Sequence, residues 1–214
     1  MVTSNKDLMT QAREALSGRW GLAVGTLLVY LLVIGVSQSC FQIQFRANTL
    51  HFNPLILSAG SLATLFLSGA LAFGAATFTL AIARKQEAAF KMIFSGFNYY
   101  GKTLGLFLLQ SIFIFLWMLL LIIPGIIASL SYSMAFFIMS DDPNIEIMEA
   151  LDKSKKMMYG YKWKYFCLGL RFIGWIILGI LSLGIGLLWV VPYLHVSHAK
   201  FYEDIKANYN EIMQ

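Results

Sequence analysis

Four long stretches without ionised side chains constrain the fold of this chain more than any other feature of its sequence. Stretches 20–45, 47–83 and 103–140 contain no Asp, Glu, Lys or Arg, and stretch 165–199 contains only Arg171. A helix needs about 20 mainly apolar residues to cross the roughly 30 Å hydrocarbon layer of a bilayer. Each stretch is long enough, so the sequence predicts an all-α, polytopic membrane protein.

The composition agrees with this class. Of the 214 residues, 58% are hydrophobic and 13% are charged, and the mean hydropathy is +0.69, whereas a soluble domain is about 25% charged. The net charge of +5 does not favour nucleic acid, because the basic residues flank the apolar stretches instead of forming a groove or stripe. We expect the lipid bilayer as the partner, with anionic lipid as a candidate ligand, and no nucleic acid.

The number of crossings follows from helix length and from the positions of the basic residues. A single helix over 103–140 would be about 55 Å long, far more than one crossing needs. Pro124-Gly125 is a turn signal in the middle of that stretch. Two crossings place the basic loops 84–102 and 153–164 on the same face, as the positive-inside rule requires. Stretch 103–140 is therefore predicted to cross twice.

The same reasoning folds stretch 165–199 into a hairpin that turns near Gly184–Gly186, which gives one membrane domain over residues 1–214. It has six transmembrane helices in three hairpins, with both ends of the sequence on the cytoplasmic side of the cell membrane. That side then carries 14 of the 16 basic residues and all 11 acidic ones. We expect no cleaved signal peptide, because the first apolar stretch is too long for one. The expected spans cover residues 20–39, 55–83, 103–123, 126–140, 165–182 and 186–199.

A short amphipathic segment precedes each predicted hairpin on the cytoplasmic side. In the first, about 4–16, Ser4 and Asp7 have the spacing of a capping box. The second covers about 84–94, and the third begins at Asp142-Pro143, which has the pattern of an N-cap followed by proline. We expect three short helices in the membrane interface, each ended by a glycine: Gly18, Gly96 and Gly160.

Two of the hairpins also resemble each other in sequence. Pro124-Gly125 and Tyr132 are followed, 61 residues later, by Ile185-Gly186 and Tyr193. Internal repetition is one interpretation of this spacing. The other is that any membrane hairpin needs an anchor and a turn.

Small residues recur at every fourth position of the second predicted span, and Gly21 and Gly25 have the same spacing in the first. Such a row lets another helix approach closely, which is how helices associate in lipid. Packing within the chain is the first interpretation and a dimer interface is the alternative. The row consists of Gly60, Thr64, Ser68, Ala72 and Ala76.

Arg171 is the only Asp, Glu, Lys or Arg residue that lies within a predicted span. It follows Lys164 by seven residues, so it lies about 10 Å along the helix from the inner interface. Its side chain can reach the headgroups from there, or it can contact a lipid phosphate, a substrate anion or a polar group of the bundle. Because no acidic residue lies within any predicted span, a proton relay or a cation-coupled transporter is disfavoured.

No pattern of residues indicates catalysis or metal binding. His195 and His198 are three residues apart, without the spacing of a zinc-binding helix and without a fixed third ligand. Asp141, Asp142 and Glu146 are interpreted as charges at a helix N-terminus. We therefore predict no metal, no cofactor and no enzymatic activity.

Several short motifs together resemble one known family. It is a family of small membrane proteins of Gram-positive bacteria, catalogued as a domain of unknown function, number nine hundred and seventy-five in that series. The resemblance covers nearly the whole chain and implies a multi-span inner-membrane protein, but no activity. Arg171 departs from the small or polar residue associated with its place before Phe172. The motifs are Ala15-Leu16 with Gly18 and Trp20, Ile123-Pro124-Gly125-Ile126, Tyr132-Ser133-Met134-Ala135, Ser154-Lys155 with Met158 and Gly160, Phe172-Ile173-Gly174-Trp175, Pro192-Tyr193 and Phe201-Tyr202-Glu203.

Three functional hypotheses remain open at this point. The first is a non-enzymatic membrane component that supports envelope integrity, protects against membrane-active peptides or belongs to a membrane complex. The second is a small transporter or channel, and the third is a lipid-modifying membrane enzyme. The scarcity of polar residues in the predicted spans favours the first.

Overall fold

The fold is helical throughout the described part of the chain. The computed structural model describes residues 3–47 and 54–213, with side chains for residues 3–33 and 66–211. Within these ranges there is no β-strand, and nine α-helices and one 3₁₀ helix follow one another. They are α1 Asn5–Leu16, α2 Trp20–Ala47, α3 Pro54–Ala83, the 3₁₀ helix Phe90–Tyr99, α4 Tyr100–Leu120, α5 Ile122–Tyr132, α6 Ala135–Asp141, α7 Ile147–Met157, α8 Lys162–Leu181 and α9 Leu187–Met213.

Several of these helices have the length and apolarity of membrane spans. Four segments of the described chain qualify, and a fifth does if α1 and α2, which meet at 94°, count as one broken span. The four segments are 66–83, 90–120, 122–141 and 162–181. Helix α9 is long enough, but its second half carries Lys200, Glu203, Asp204 and Lys206. The chain is therefore an all-α protein with several apolar helices of membrane length.

The surface of these helices fits a lipid environment. Leu119 is 73% exposed, Ile123 is 72% exposed and Leu183 is 93% exposed, and most of their neighbours along α4 and α8 are apolar and exposed too. Soluble proteins rarely expose contiguous apolar surface on this scale. In a bilayer the same side chains face hydrocarbon and incur no hydration cost.

Helix α1 confirms the predicted first amphipathic segment. The hydroxyl oxygen of Ser4 accepts a hydrogen bond from the Asp7 N–H, at 3.2 Å, which satisfies one of the free donors of the first turn. Gly18 ends the segment in the left-handed region, with φ of 77°, a conformation that glycine adopts without strain. The buried face consists of Leu8, Ala12, Ala15 and Leu16.

Helix α7 begins later than predicted. Asp142 does not cap it, because its carboxylate accepts a hydrogen bond from the N–H of Asn144 at 3.0 Å and closes a turn there. The helix starts at Ile147, after Glu146. Its end is as expected, since Gly160 has a φ of 80°. The residues buried along α7 are Ala150, Leu151, Ser154 and Met157.

The second amphipathic segment differs from the other two. Gly96 was expected to end a helix, but it lies inside the 3₁₀ helix, which crosses α3 at very short range. A Cβ atom on Gly96 would overlap the backbone carbonyl of Ala70, and one on Gly74 would overlap the carbonyl of Ile93. Only hydrogen fits at either place. The two glycines therefore allow the crossing, and Gly96 is not a helix stop.

The break between α4 and α5 lies three residues before the predicted turn. Leu121 is extended, with φ −161° and ψ 146°, and Pro124 lies in the first turn of α5, where its missing N–H is not needed. Gly125 packs on α4, because a Cβ there would be 2.8 Å from the Cα of Met118. The proline and glycine therefore start α5 and let it pack closely, while Leu121 makes the turn.

The turn predicted near Gly184–Gly186 is confirmed. Residues 182–186 connect α8 to α9, and Gly184 has a φ of 84°. The hydroxyl of Ser182 donates to the carbonyl of Gly179 at 2.7 Å and accepts from the N–H of Gly186 at 2.8 Å. These bonds fix the geometry of the turn.

Ser154 should be sensitive to substitution because its buried hydroxyl links α7 to the end of α5. It donates to the carbonyl of Ser131 at 2.8 Å and accepts from the N–H of Met134 at 3.2 Å. We expect Ser154→Ala to lower the free energy of unfolding by about 1–3 kcal/mol, since two buried backbone groups lose their partner. Ser129→Ala is the control, because Ser129 bonds to the carbonyl of Ile126 in its own helix. Equal melting temperatures for the two variants in detergent would refute this role.

Candidate functional site

Charged side chains from the ends of α3 and α6 and from the second half of α9 meet in a cluster at one end of the bundle. Arg84 follows α3, Asp141 ends α6, and Glu203 lies in α9. The Nη2 atom of Arg84 is 2.7 Å from Asp141 Oδ1 and 2.7 Å from Glu203 Oε1. Lys206 forms an ion pair with Asp141, and the hydroxyl of Tyr202 donates to Asp141 Oδ2 at 2.7 Å. We call these five residues the ionic cluster.

The ionic cluster is partly shielded from solvent. The side chain of Asp141 is 16% exposed and that of Arg84 is 28% exposed. Burial opposes the charge of Arg84, but hydrogen bonds and attraction from Glu203 and Asp141 outweigh it and raise the pKa of Arg84 above its ordinary value. Burial, together with the hydrogen bond to Asp141, raises the pKa of Tyr202. The cluster therefore holds its charges in place and keeps the phenol neutral.

A second group of polar contacts lies beside the ionic cluster. Asp204, the residue after Glu203, accepts from the Thr3 N–H at 3.1 Å and from the Thr3 hydroxyl at 2.6 Å. Lys164 in the first turn of α8 donates to the same carboxylate at 3.1 Å. Asp204 therefore ties the segment before α1 and the start of α8 to α9.

Two further cations bind backbone carbonyl groups. Arg19 donates to the carbonyls of Lys85 and Gln86. Lys102 donates to Pro143 at 3.1 Å and to Asn144 at 2.9 Å. Together with the ionic cluster and the Asp204 contacts, these bonds form what we call the polar layer: Thr3, Arg19, Arg84, Lys102, Asp141, Lys164, Tyr202, Glu203, Asp204 and Lys206.

Among the residues whose side chains are described, two apolar clefts lie between helices outside the polar layer. The larger one, which we call the α9 cleft, has a volume of about 520 Å³ between α8, α9 and the α1–α2 junction. The smaller one, the α5 cleft, has a volume of about 210 Å³ between α4, α5 and the α7–α8 junction. Aromatic side chains line both: Trp20, Trp175, Trp189 and Tyr193 in the α9 cleft, and Trp117 and Tyr132 in the α5 cleft.

The residues singled out from the sequence do not come together in one site. Arg171 is exposed on α8 and belongs neither to the polar layer nor to a cleft. In the row of small residues, Ala76 is buried while Ser68 and Ala72 are partly buried. Gly60 and Thr64 lie outside the residues whose side chains are described. The packing role of the row and the lipid contact of Arg171 stay predictions.

Asp141 has different surroundings from those expected, and the two histidines lie near each other. Asp141 was interpreted as a charge at a helix N-terminus, which is wrong, since it ends α6 and pairs with Arg84 and Lys206. The rings of His195 and His198 are 6.4 Å apart, and His198 packs against Tyr165 at 4.8 Å. Among the described residues no three His, Cys, Asp or Glu side chains are placed to hold a metal ion.

Sequence reasoning missed the ionic cluster because its partners are far apart in the chain. The available signal was the position of Arg84, Asp141 and Glu203, each at or just beyond the expected inner end of a returning span. Three such ends must lie side by side if the three hairpins pack together. Because Arg84 is opposite in charge to Asp141 and Glu203, ion pairs among these three residues could have been predicted from their positions.

Comparison with known proteins gives a family but no activity. The family described as "Protein of unknown function (DUF975)" matches residues 1–127 and 118–209. No curated protein and no solved structure matches the chain.

Proposed function

We propose that this chain, which belongs to the DUF975 family of proteins of unknown function, is a non-enzymatic, six-span protein of the cell membrane. Both ends of the sequence and the polar layer lie on the cytoplasmic side. The protein acts within the bilayer, where it supports the integrity of the envelope and protects it from membrane-active peptides, alone or as a component of a membrane complex.

The observation that carries this proposal is the polar layer. Its members come only from segments that the charge pattern assigns to the cytoplasmic side, and they bind one another or backbone carbonyls of the same segments. Arg84, Asp141 and Glu203 join the ends of the three predicted returning spans. An aqueous path through the cytoplasmic end of the bundle would have to separate those ion pairs. Their presence therefore supports a protein that does not conduct solutes.

The exposed surface supports a function in the bilayer. The apolar side chains of α4 and α8 need hydrocarbon around them, and the two clefts are apolar recesses in the same lateral surface. A protein with such a surface interacts with lipid acyl chains over much of its area. Its effect on the membrane then arises from these contacts and not from chemistry at a polar centre.

Transport of an amphiphile is the second candidate, and the α9 cleft favours it. Its lining includes Arg13 and Trp20, which the sequence predicts near the inner face, and Ser182 and Gly186, which it predicts near the outer face. A recess of that extent could guide a lipid-like molecule along the side of the bundle. The scarcity of polar groups along it makes this candidate the weaker one.

Reconstituted vesicles separate the two candidates. We expect purified protein to leave the exchange of a fluorescent phospholipid between leaflets, followed by dithionite quenching, equal to that of protein-free vesicles. In the same vesicles, dye release caused by a cationic amphipathic peptide should slow down when the protein is present. Protein-dependent lipid exchange would favour transport, and unchanged peptide-induced release would contradict the protective role.

A further inference from the structure

The α5 cleft and the α9 cleft each lie between the junction of a short and a long helix on one side and a helix hairpin on the other. In each, a glycine in the left-handed region, Gly18 or Gly160, ends a short helix two residues before a long helix begins at Trp20 or Lys162. Trp20 lines the α9 cleft and Lys162 lines the α5 cleft. One wall of each cleft is therefore the same kind of helix junction.

The opposite walls of the clefts correspond as well. Gly125 lies seven residues after Met118, and Gly186 lies seven residues after Gly179. A Cβ added at Gly125 would be 2.8 Å from the Cα of Met118, and one added at Gly186 would be 2.9 Å from the Cα of Gly179. A tyrosine follows each of these glycines by seven residues and lines the cleft: Tyr132 in one and Tyr193 in the other. This shared contact geometry supports internal repetition over the alternative of unrelated hairpins.

Each cleft has a basic side chain at the same position of its short helix. Arg13 in the last turn of α1 lies seven residues before Trp20, and Lys155 in the last turn of α7 lies seven residues before Lys162. Both line their cleft, and Lys162 adds a second cation to the α5 cleft. Cationic groups therefore lie at the inner end of two recesses whose other walls are mainly apolar.

The cations of the clefts differ from those of the polar layer in their partners. Arg19, Arg84, Lys102, Lys164 and Lys206 all donate to carboxylates or backbone carbonyls. Among the described residues, the cations that line the clefts form no ion pair and no side-chain hydrogen bond. Within the described residues they lack a protein anion, and unlike the equally unpaired Lys6 and Lys156 they line a cleft. The cations that line the clefts are Arg13, Lys155 and Lys162.

We propose that each cleft binds one phospholipid with an anionic headgroup, whose phosphate contacts Arg13 in the α9 cleft and Lys155 and Lys162 in the α5 cleft. An acyl chain of this lipid lies along the tryptophan and tyrosine side chains of the cleft, because their rings are large and mainly apolar. Charge complementarity selects this occupant, because the bilayer supplies both hydrocarbon for the walls and phosphate for the unpaired cations. The proposal rests on the membrane location proposed above and names the ligand of the two clefts.

Native mass spectrometry of the purified protein tests this occupant directly. The protein is equilibrated with mixed micelles of phosphatidylglycerol and phosphatidylcholine with identical acyl chains, and retained lipids are counted. We expect a preference for phosphatidylglycerol at each cleft. Arg13→Gln should lower the preference at the α9 cleft about fivefold, the effect of one basic residue near an anionic lipid. The double variant Lys155→Gln, Lys162→Gln should lower the preference for phosphatidylglycerol at the α5 cleft.

The matched controls keep the change of charge but move it away from the clefts. Lys6 is exposed on α1 and Lys156 is exposed on α7, and neither lines a cleft. Lys6→Gln and Lys156→Gln should leave the preference unchanged. An equal loss in control and test variants, no preference in the wild type, or displacement of the lipid by dissolved glycerol phosphate would overturn the proposal. The leaflet-exchange result in the wild type tests the proposed function separately, because it does not depend on the headgroup preference.

Discussion

Gly74→Ala is expected to lower the free energy of unfolding of the bundle by at least about 3 kcal/mol, at the upper end of the range for overpacking. The added Cβ would overlap the backbone carbonyl of Ile93, and a carbonyl inside a 3₁₀ helix cannot rotate away as a side-chain end can. The crossing of α3 and the 3₁₀ helix would have to open. Thermal unfolding in detergent, followed by circular dichroism, measures the loss.

Gly169→Ala is the matched control for this experiment. Gly169 lies inside α8, and a Cβ there meets no described atom within 4 Å. Because alanine favours a helix by about 1 kcal/mol over glycine, this variant should be as stable as the wild type or more stable. Gly96→Ala should behave like Gly74→Ala. If Gly74→Ala melts at the same temperature as Gly169→Ala, the close crossing is incorrect.

Asp141→Asn is expected to lower the free energy of unfolding by about 2–4 kcal/mol. The carboxylate has three partners, Arg84, Lys206 and Tyr202, and removing its charge leaves two partly buried cations without full compensation. The estimate lies below the full cost of breaking a buried pair because Arg84 remains 28% exposed. Urea or thermal unfolding in detergent gives the value.

An exposed carboxylate provides the control for the ionic cluster. Asp152→Asn removes the same charge from the exposed face of α7, where the expected change is below about 1 kcal/mol. A double-mutant cycle of Asp141→Asn with Lys206→Met should show coupling, because the two side chains form an ion pair. Additive effects, or equal losses for Asp141→Asn and Asp152→Asn, would mean that the cluster does not stabilise the fold.

The sequence could predict those parts of the fold that depend on local patterns. The capping spacing of Ser4 and Asp7 and the glycines Gly18 and Gly160 indicate the short helices because cap and left-handed conformations are properties of single residues. The turn near Gly184 is predictable for the same reason. The long uncharged stretches indicate apolar helices because hydrocarbon solvates apolar side chains only.

The features that depend on packing between distant segments could not be predicted in this way. Gly74 and Gly96 lie in different elements, and nothing in their neighbourhoods shows that each meets a carbonyl of the other element. Asp141 has the sequence context of a helix start, but it ends α6 and pairs with Arg84 and Lys206, which are far away in the sequence. The row that includes Ser68 and Ala72 has a small residue at every fourth position. This spacing does not determine which positions on α3 contact another helix.

Accessibility labelling of single cysteines in intact cells tests the central claim, which is that the polar layer lies at the cytoplasmic end of a six-span bundle. In a variant without Cys40 and Cys167, single cysteines replace Asn48, Lys156 or Ala207 and are treated with a membrane-impermeant maleimide. We expect labelling at position 48 from outside, and labelling at positions 156 and 207 only after the cells are permeabilised. Labelling of position 156 or 207 in intact cells would contradict the claim, because that side of the polar layer would then face the exterior.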